Sequence, residues 1–462
     1  MAKRKNKKVV LELIRRVNGI GPKLADKIWD AYGNDTEEMI VLDPKRVARE
    51  IGGVSVKRAF AAREQLLAAS SEPMAAADPL MLESVTVSDH SVLAETTDAD
   101  AGLTTATHGQ VVPDVLTKHQ VREVMLRQWD TSHAQRRHAD EVLKRHYEKL
   151  LDQPNVTGAH VGFRRRGGGR NAESVSGSLE VCIRIHVNRK FPSNSAAFND
   201  YRIALEIPPT IEGVPTDVTE RSYATLDLPD LVEAQPAAVD TGEFETELMG
   251  GIEIAKVGMP FNGGTLGGIV FAGFQRRLIT NQHVAGKIAS KVNQPASGTV
   301  PPGFSAEIGT VVDSEMPPAG GTGSIDCAII ALRSGGRDVR PKIKGLQPPR
   351  FRSAKLTSPD VHRTTAIKVG AVTGRTEGIV KSVSTFVDVN GAKMPNQIIV
   401  ESEDGSEIIK GGDSGSLLLV KASDDTLFNV VGLVHARSSD GTAMVATHFD
   451  EIETRFAVKA SL

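Results

Sequence analysis

From Gly250 to its end the chain is cut into short apolar runs separated by glycine-rich turns. The runs cover residues 266–273, 277–281, 306–312, 325–332, 365–372, 377–388, 396–401, 415–420, 428–435 and 442–446. Most are of strand length, and valine and isoleucine are frequent in them. Many short strands at this spacing predict an all-β barrel or sandwich. A chain built this way gathers chemistry from the loops between strands rather than along one helix.

One turn is unusual. Lys410-Gly411-Gly412-Asp413-Ser414-Gly415-Ser416 precedes the apolar run Leu417–Val420. Glycines on both sides of one serine allow a sharp bend that aims backbone N–H groups at a point beside its hydroxyl. A developing oxyanion needs that arrangement. Serine alone is a poor nucleophile, so a base and a group to orient it are required. His283 ends the short run Leu278-Ile279-Thr280-Asn281-Gln282-His283-Val284-Ala285-Gly286, and Asp326 opens Asp326-Cys327-Ala328-Ile329-Ile330-Ala331-Leu332. Asp313 competes with Asp326 for the third role, but Ser314-Glu315 beside it reads as loop.

In the order His, Asp, Ser, these three motifs resemble those of the chymotrypsin/trypsin-like serine peptidases, over roughly Gly250 to Leu462. The resemblance implies two six-stranded β-barrels with a site between them. It implies a catalytic His283, Asp326 and Ser414, an oxyanion hole from the Gly412 and Ser414 amides, and a peptide or protein substrate with no cofactor or metal. It also points to Ile408, six before the serine, and to His435 and Arg437 as pocket residues. An apolar Ile408 would favour an uncharged apolar side chain before the cleaved bond. The family often has Ser-Trp-Gly where this chain has His435-Ala436-Arg437. In secreted members the aspartate before the serine pairs with an amine freed by cleavage. Either Asp413 therefore finds another partner, or the enzyme waits for a cut or a ligand.

The formal net charge is −2, but it is unevenly spread. Residues 1–70 carry 15 Lys/Arg against nine Asp/Glu, while residues 71–110 carry seven acidic residues and no Lys or Arg. Two cysteines, Cys182 and Cys327, suit a reducing compartment. The basic start, Met1–Lys8, leads into an apolar stretch too short for a signal-peptide core. No 18-residue apolar window occurs. These features predict a cytoplasmic protein with no membrane span, or a nuclear one in a eukaryote.

Residues 1–70 predict an all-α domain. Val17-Asn18-Gly19-Ile20-Gly21-Pro22-Lys23-Leu24-Ala25 resembles the helix-hairpin-helix signature, and a degenerate copy follows at Val47 to Ala59. That resemblance implies backbone amides at a helix start holding a duplex-DNA phosphate, with Gly19, Gly21, Lys23 and Lys27 as contacts. A small protein-binding module is the alternative. Residues 71–110 predict an acidic linker and 111–151 a helical connector bearing His133, His138 and His146. Residues 152–249 predict a small α+β domain with strands at 156–163 and 179–187 around the loop Arg164–Gly169. Together with Val369–Gly378, Ile207–Val218 resembles the intracellular trypsin-like proteins related to plant narrow-leaf proteins. The composite expectation is a serine endopeptidase localised or switched by its amino-terminal module. A DNA- or protein-binding adaptor on an inactive protease scaffold is the rival.

Overall fold

The computed structural model describes residues 118–153, 155–164, 179–190, 207–225, 243–259, 263–296 and 300–460. Toward the amino terminus it describes 20–33, 50–55 and scattered positions between 11 and 66. The acidic stretch 71–110, Gly19 and the loop positions 165–169 lie outside the described residues.

Near the start, α1 (Pro22–Tyr32) follows Gly21, with proline at its first turn where a missing N–H costs nothing. Its Ala25 and Ile28 pack with Ile14, Ile20, Val47, Ile51, Val54 and Ala59 in one apolar cluster. Two helices follow, α2 (Lys118–Thr131) and α3 (His133–Leu151). The connector expected as one helix is therefore broken at Ser132, whose hydroxyl donates to the Trp129 carbonyl (3.1 Å).

Next come β1 (Val156–Phe163), β2 (Val181–Val187), β3 (Thr210–Ile211), β4 (Val214–Glu220) and β5 (Tyr223–Thr225). The first barrel contributes β6 (Glu247–Gly250), β7 (Glu253–Lys256), β8 (Gly264–Thr265), β9 (Gly268–Ala272), β10 (Gln275–Thr280), the single turn α4 (Gln282–Ala285), β11 (Lys291–Asn293), β12 (Glu307–Glu315) and β13 (Cys327–Leu332). After β14 (Asp338–Ile343) and β15 (Phe351–Ser353), the second has β16 (Thr365–Gly370), β17 (Gly374–Val389), β18 (Ala392–Glu401), β19 (Leu417–Lys421), β20 (Phe428–Ser438) and β21 (Ala443–His448), with α5 (Phe449–Phe456) behind.

Seven strands run in the order β8-β7-β11-β12-β13-β10-β9. The chain bends at Leu266–Gly267, so β8 pairs with β7 while β9 pairs with β10, and the sheet wraps onto itself. Ile254, Leu266, Leu278, Val292, Ile308 and Ile330 fill it. In the second sheet β16-β19-β20-β21-β18-β17 close into a ring through the β16–β17 pairing. Val380, Ile398, Leu418, Val431 and Met444 are among the residues that fill that ring. A third apolar cluster holds Ile279 and Ile329 from the first barrel with Ile367, Leu417 and Leu433 from the second, and with Phe449 and Ile452 of α5.

The separate α+β domain expected over 152–249 is corrected. β1 pairs with the outer half of β17, at Gly158↔Val387 and Ala159↔Phe386, so the second sheet continues through β1-β2-β4-β3. The β17–β18 hairpin is long enough to extend beyond the closed ring and offer that edge, and an open edge is a ready pairing template. Helix α3 covers the added strands through Ala139, Val142, Leu143 and Leu150. Helix α2 is also docked rather than a spacer. Its Trp129 is 3% exposed, donates through Nε1 to the Ser358 carbonyl (3.0 Å), and lies edge-on to Phe163 and His362. The Arg136 guanidinium stacks over the indole at 4.2 Å. Trp129→Ala is expected to cost about 3–5 kcal/mol, read from urea unfolding of the full chain.

Candidate active site

Three elements bring three side chains to one point between the barrels. His283 lies on α4, the turn that ends β10. Asp326 immediately precedes β13, which is hydrogen-bonded to β10 from Arg277↔Ala331 to Thr280↔Ala328. That register sets the two residues side by side. Asn281 Nδ2 donates to the Asp326 carbonyl (2.7 Å) and the Gln282 amide to Asp326 Oδ1 (2.8 Å). His283 Nδ1 then meets Asp326 Oδ2. Across the cleft, His283 Nε2 is 2.6 Å from Ser414 Oγ. With Nδ1 protonated toward the carboxylate, Nε2 is the ring nitrogen that can accept the serine proton.

Burial alone would push the Asp326 carboxyl up. The His283 ring, by charge and by hydrogen bond, outweighs that, with help from His435 and the Gln282 amide, and the carboxyl lies below its ordinary range. Burial pulls the His435 ring down to about 4, and His283 adds to this while Asp326 opposes it. His435 Nε2 bonds Gln397 Oε1 (2.8 Å), and among the described residues its Nδ1 has no hydrogen-bond partner.

The serine turn is held by its aspartate. Asp413 Oδ1 accepts the amides of Val372 (3.1 Å) and Thr373 (3.0 Å), and Oδ2 accepts the Lys410 amide (3.0 Å) and the Thr373 hydroxyl (2.7 Å). Lys368 Nζ stands 3.0 Å from Oδ2, and both side chains are 0% exposed. Burial lowers the Lys368 ammonium from its ordinary range, with Asp413 pulling the other way. The partner that Asp413 finds is thus a lysine of β16.

Gly412 has φ +93°, and a Cβ there would stand 2.5 Å from Val372 Cγ2, so glycine is required twice over. Its carbonyl is held by the Thr265 hydroxyl (2.8 Å), while the Thr265 amide donates to the Ser414 carbonyl (2.6 Å). Among the described residues neither the Gly412 nor the Ser414 amide donates a hydrogen bond.

The remaining expected residues are placed less uniformly. Ile408 is 3% exposed and belongs to the second barrel's core cluster, so its side chain is packing rather than an open wall. The His435 carbonyl is 3.5 Å from Ser414 Oγ, whereas its ring turns into the sheet toward Gln397. Arg437 is half-buried on β20. Asp313 pairs with Arg455 (3.3 Å) on the surface, away from His283. At the amino terminus Gly21 and Lys23 are exposed at the start of α1, and Lys27 is exposed one turn further along it. Among the described residues no group of His, Cys, Asp and Glu is placed to hold a metal ion. His146 instead meets Glu212 (2.7 Å). Both cysteines are buried, and burial pushes the Cys182 thiol up to about 12 and that of Cys327 well above its ordinary range.

Sequence reasoning missed Lys368, Thr265 and Thr373. The available signal for Lys368 was a lone charge inside the apolar run Ala366-Ile367-Lys368-Val369.

Residues 328–454 match the family model of Peptidase family S64. No curated protein matches the chain. Among solved structures, Thermobifida fusca Protease A is 17% identical with a TM-score of 0.35, over 46% of this chain and 97% of that one. The Cellulomonas bogoriensis chymotrypsin is 18% identical with a TM-score of 0.33, over 46% and 97%. A glutamic acid specific serine protease, described as using a histidine triad in substrate binding, is 16% identical with a TM-score of 0.34, over 46% and 99%. No helix among the described residues is long and apolar enough to cross a membrane.

Proposed function

We propose that the protein is a serine endopeptidase in which Ser414 attacks the peptide carbonyl. His283 takes the serine proton through Nε2, later returning it to the leaving amine, and Asp326 holds the imidazole in the tautomer this requires. The Gly412 and Ser414 amides receive the oxyanion, and water on the same histidine hydrolyses the acyl-enzyme. The single observation that carries the reading is the continuous Ser414 Oγ–His283 Nε2 and His283 Nδ1–Asp326 Oδ2 chain of hydrogen bonds. The peptidase-family match over residues 328–454 agrees with it. The full chain incubated with a mixed peptide library generates new amino termini, read by mass spectrometry. A library returned intact by folded protein that also takes no fluorophosphonate on Ser414 would favour the adaptor reading instead.

The amino-terminal module is proposed to bring this activity to duplex DNA. The exposed Lys23 and Lys27 of α1 favour it. In a gel-retardation assay with a short duplex, Lys23→Glu/Lys27→Glu is expected to weaken binding at least about tenfold. Retardation unchanged by the double variant would remove DNA from the account.

A further inference from the structure

Strand β20 has two edges, and they are used differently along its length. One edge pairs with β21 from Gly432↔His448 to Arg437↔Met444. The other pairs with β19 up to Leu433↔Leu417. That second ladder ends at the serine turn, where the Gly415 amide donates to the Val434 carbonyl (2.9 Å) and the Val434 amide to the Ser416 carbonyl (2.9 Å). From His435 onward this edge leaves β19 and begins 3.5 Å from Ser414 Oγ. A peptide with its carbonyl on Ser414 would find its main-chain partners along this edge, as an added strand.

The chain's own β5 lies there. Its register is antiparallel, Ala436↔Thr225, Arg437↔Ala224 and Ser438↔Tyr223, so it runs toward Ser414 as its numbering rises. The Ser439 amide donates to the Ser222 carbonyl (3.0 Å). Hydrogen-bonded and non-bonded pairs alternate in an antiparallel ladder. Ala224 and Arg437 are therefore a mutually bonded pair, and the next bonded position on β20 is His435, beside the serine. Direction and hydrogen-bond phase are those of a substrate's acyl side.

We infer that Tyr223–Thr225 fills in cis the strand edge that a peptide substrate must occupy, so that hydrolysis of extended peptides waits on release of the enzyme's own strand. This rests on the function proposed above. The occupant is well held. Tyr223 is 3% exposed, its hydroxyl meets His186 Nδ1 (2.6 Å), and its ring packs with Ala436, Met394 and Val445. Asn390 Nδ2 donates to the Thr225 hydroxyl, and just upstream the half-buried Arg221 pairs with Glu401. The segment follows directly from β4, which pairs with β2, so β5 is delivered by the sheet that the β17–β18 hairpin recruits. Being tethered, it competes at a high effective concentration. The occupant also suggests a probe. Residues 223–226 read Tyr-Ala-Thr-Leu, and a substrate that copies them carries an apolar residue before the cleaved bond.

The test uses the full chain and the coumarin amide of acetyl-Tyr-Ala-Thr-Leu, with a fluorophosphonate that needs Ser414 but no strand partner. Ala224→Pro removes the N–H of the bonded pair and should raise kcat/KM for the peptide at least about tenfold. Ala224→Cys/Arg437→Cys places two thiols at a separation a disulfide spans, and the native cysteines are buried. Oxidation of this pair should lower peptide hydrolysis at least about tenfold, and reduction should restore it, with fluorophosphonate labelling equal in both forms. Equal peptide hydrolysis in the oxidised and reduced forms, with labelling intact, overturns the inference and leaves the proposed function standing. Failure of the fluorophosphonate to label any folded form overturns both.

Discussion

Ser414→Ala is expected to lower kcat for peptide hydrolysis by on the order of 10⁶, with the fold and thermal transition preserved. In the proposed reaction the hydroxyl is the attacking atom, and the His283 Nε2 that would take its proton is 2.6 Å away. Removing it leaves His283 and Asp326 in place but gives the acyl group nothing to bond to. Residual rate would come from the amides of Gly412 and residue 414, which the substitution keeps, and from binding. The measurement is kcat and KM on one peptide for both proteins. A small loss in kcat would mean that another group attacks the carbonyl.

Lys368→Met is expected to lower kcat by roughly 10²–10³, the scale of losing one oxyanion donor. The effect is transmitted through Asp413. Its carboxylate accepts the amides of Val372, Thr373 and Lys410, which pin the 370s turn to the serine turn. Lys368 offsets the charge that this arrangement buries. Methionine fills a similar volume and leaves the carboxylate unpaired. Breaking a buried pair on one side costs about 3–5 kcal/mol, and the turn carrying Gly412 and Ser414 relaxes first because it is the segment Asp413 organises. KM should move less than kcat, since the β20 edge is untouched. Loss of stability with kcat unchanged would reduce Lys368 to a structural role.

The same pair gives a pH dependence. Burial sets the Lys368 ammonium below the ordinary lysine value of 10.5. Raising the pH therefore removes its proton before that of an ordinary lysine, and kcat should fall along an alkaline limb centred below 10.5. Stability follows the opposite sign. Between the folded and unfolded pKa the unfolded chain binds the proton more tightly, so this group's contribution to unfolding free energy rises with pH across that window. Activity lost while the chain remains folded is the expected signature, read from kcat and from urea unfolding over the same pH range.

The proposed active-site residues and the longer strands carry local signals in the sequence. His283 and Ser414 are 131 positions apart, yet each sits in a short motif whose chemistry is readable alone. The ten apolar runs read between 266 and 446 overlap the strands from β9 to β21, with β11, and then β14 and β15, missed. The latter two strands, at Asp338–Ile343 and Phe351–Ser353, mix polar residues with few apolar ones and owe their form to partners. β14 pairs with β6 and β15 with β20. Helix α5 was hidden for the same reason, since Phe449, Ile452 and Phe456 make too short a stripe to stand out. The union of 155–225 with the second barrel was invisible because strand pairing between distant segments leaves no mark in either alone. Ile408 shows the reverse error. A family position was read as a pocket wall, and the local packing turned the side chain inward.

The most direct test of the central claim is fluorophosphonate labelling of the folded full chain, with the modified peptide identified by mass spectrometry. One adduct is expected on Ser414 in the wild type, and none on that peptide in Ser414→Ala or His283→Ala. Folded wild-type protein that takes no adduct, or an adduct that persists in Ser414→Ala, would contradict the claim.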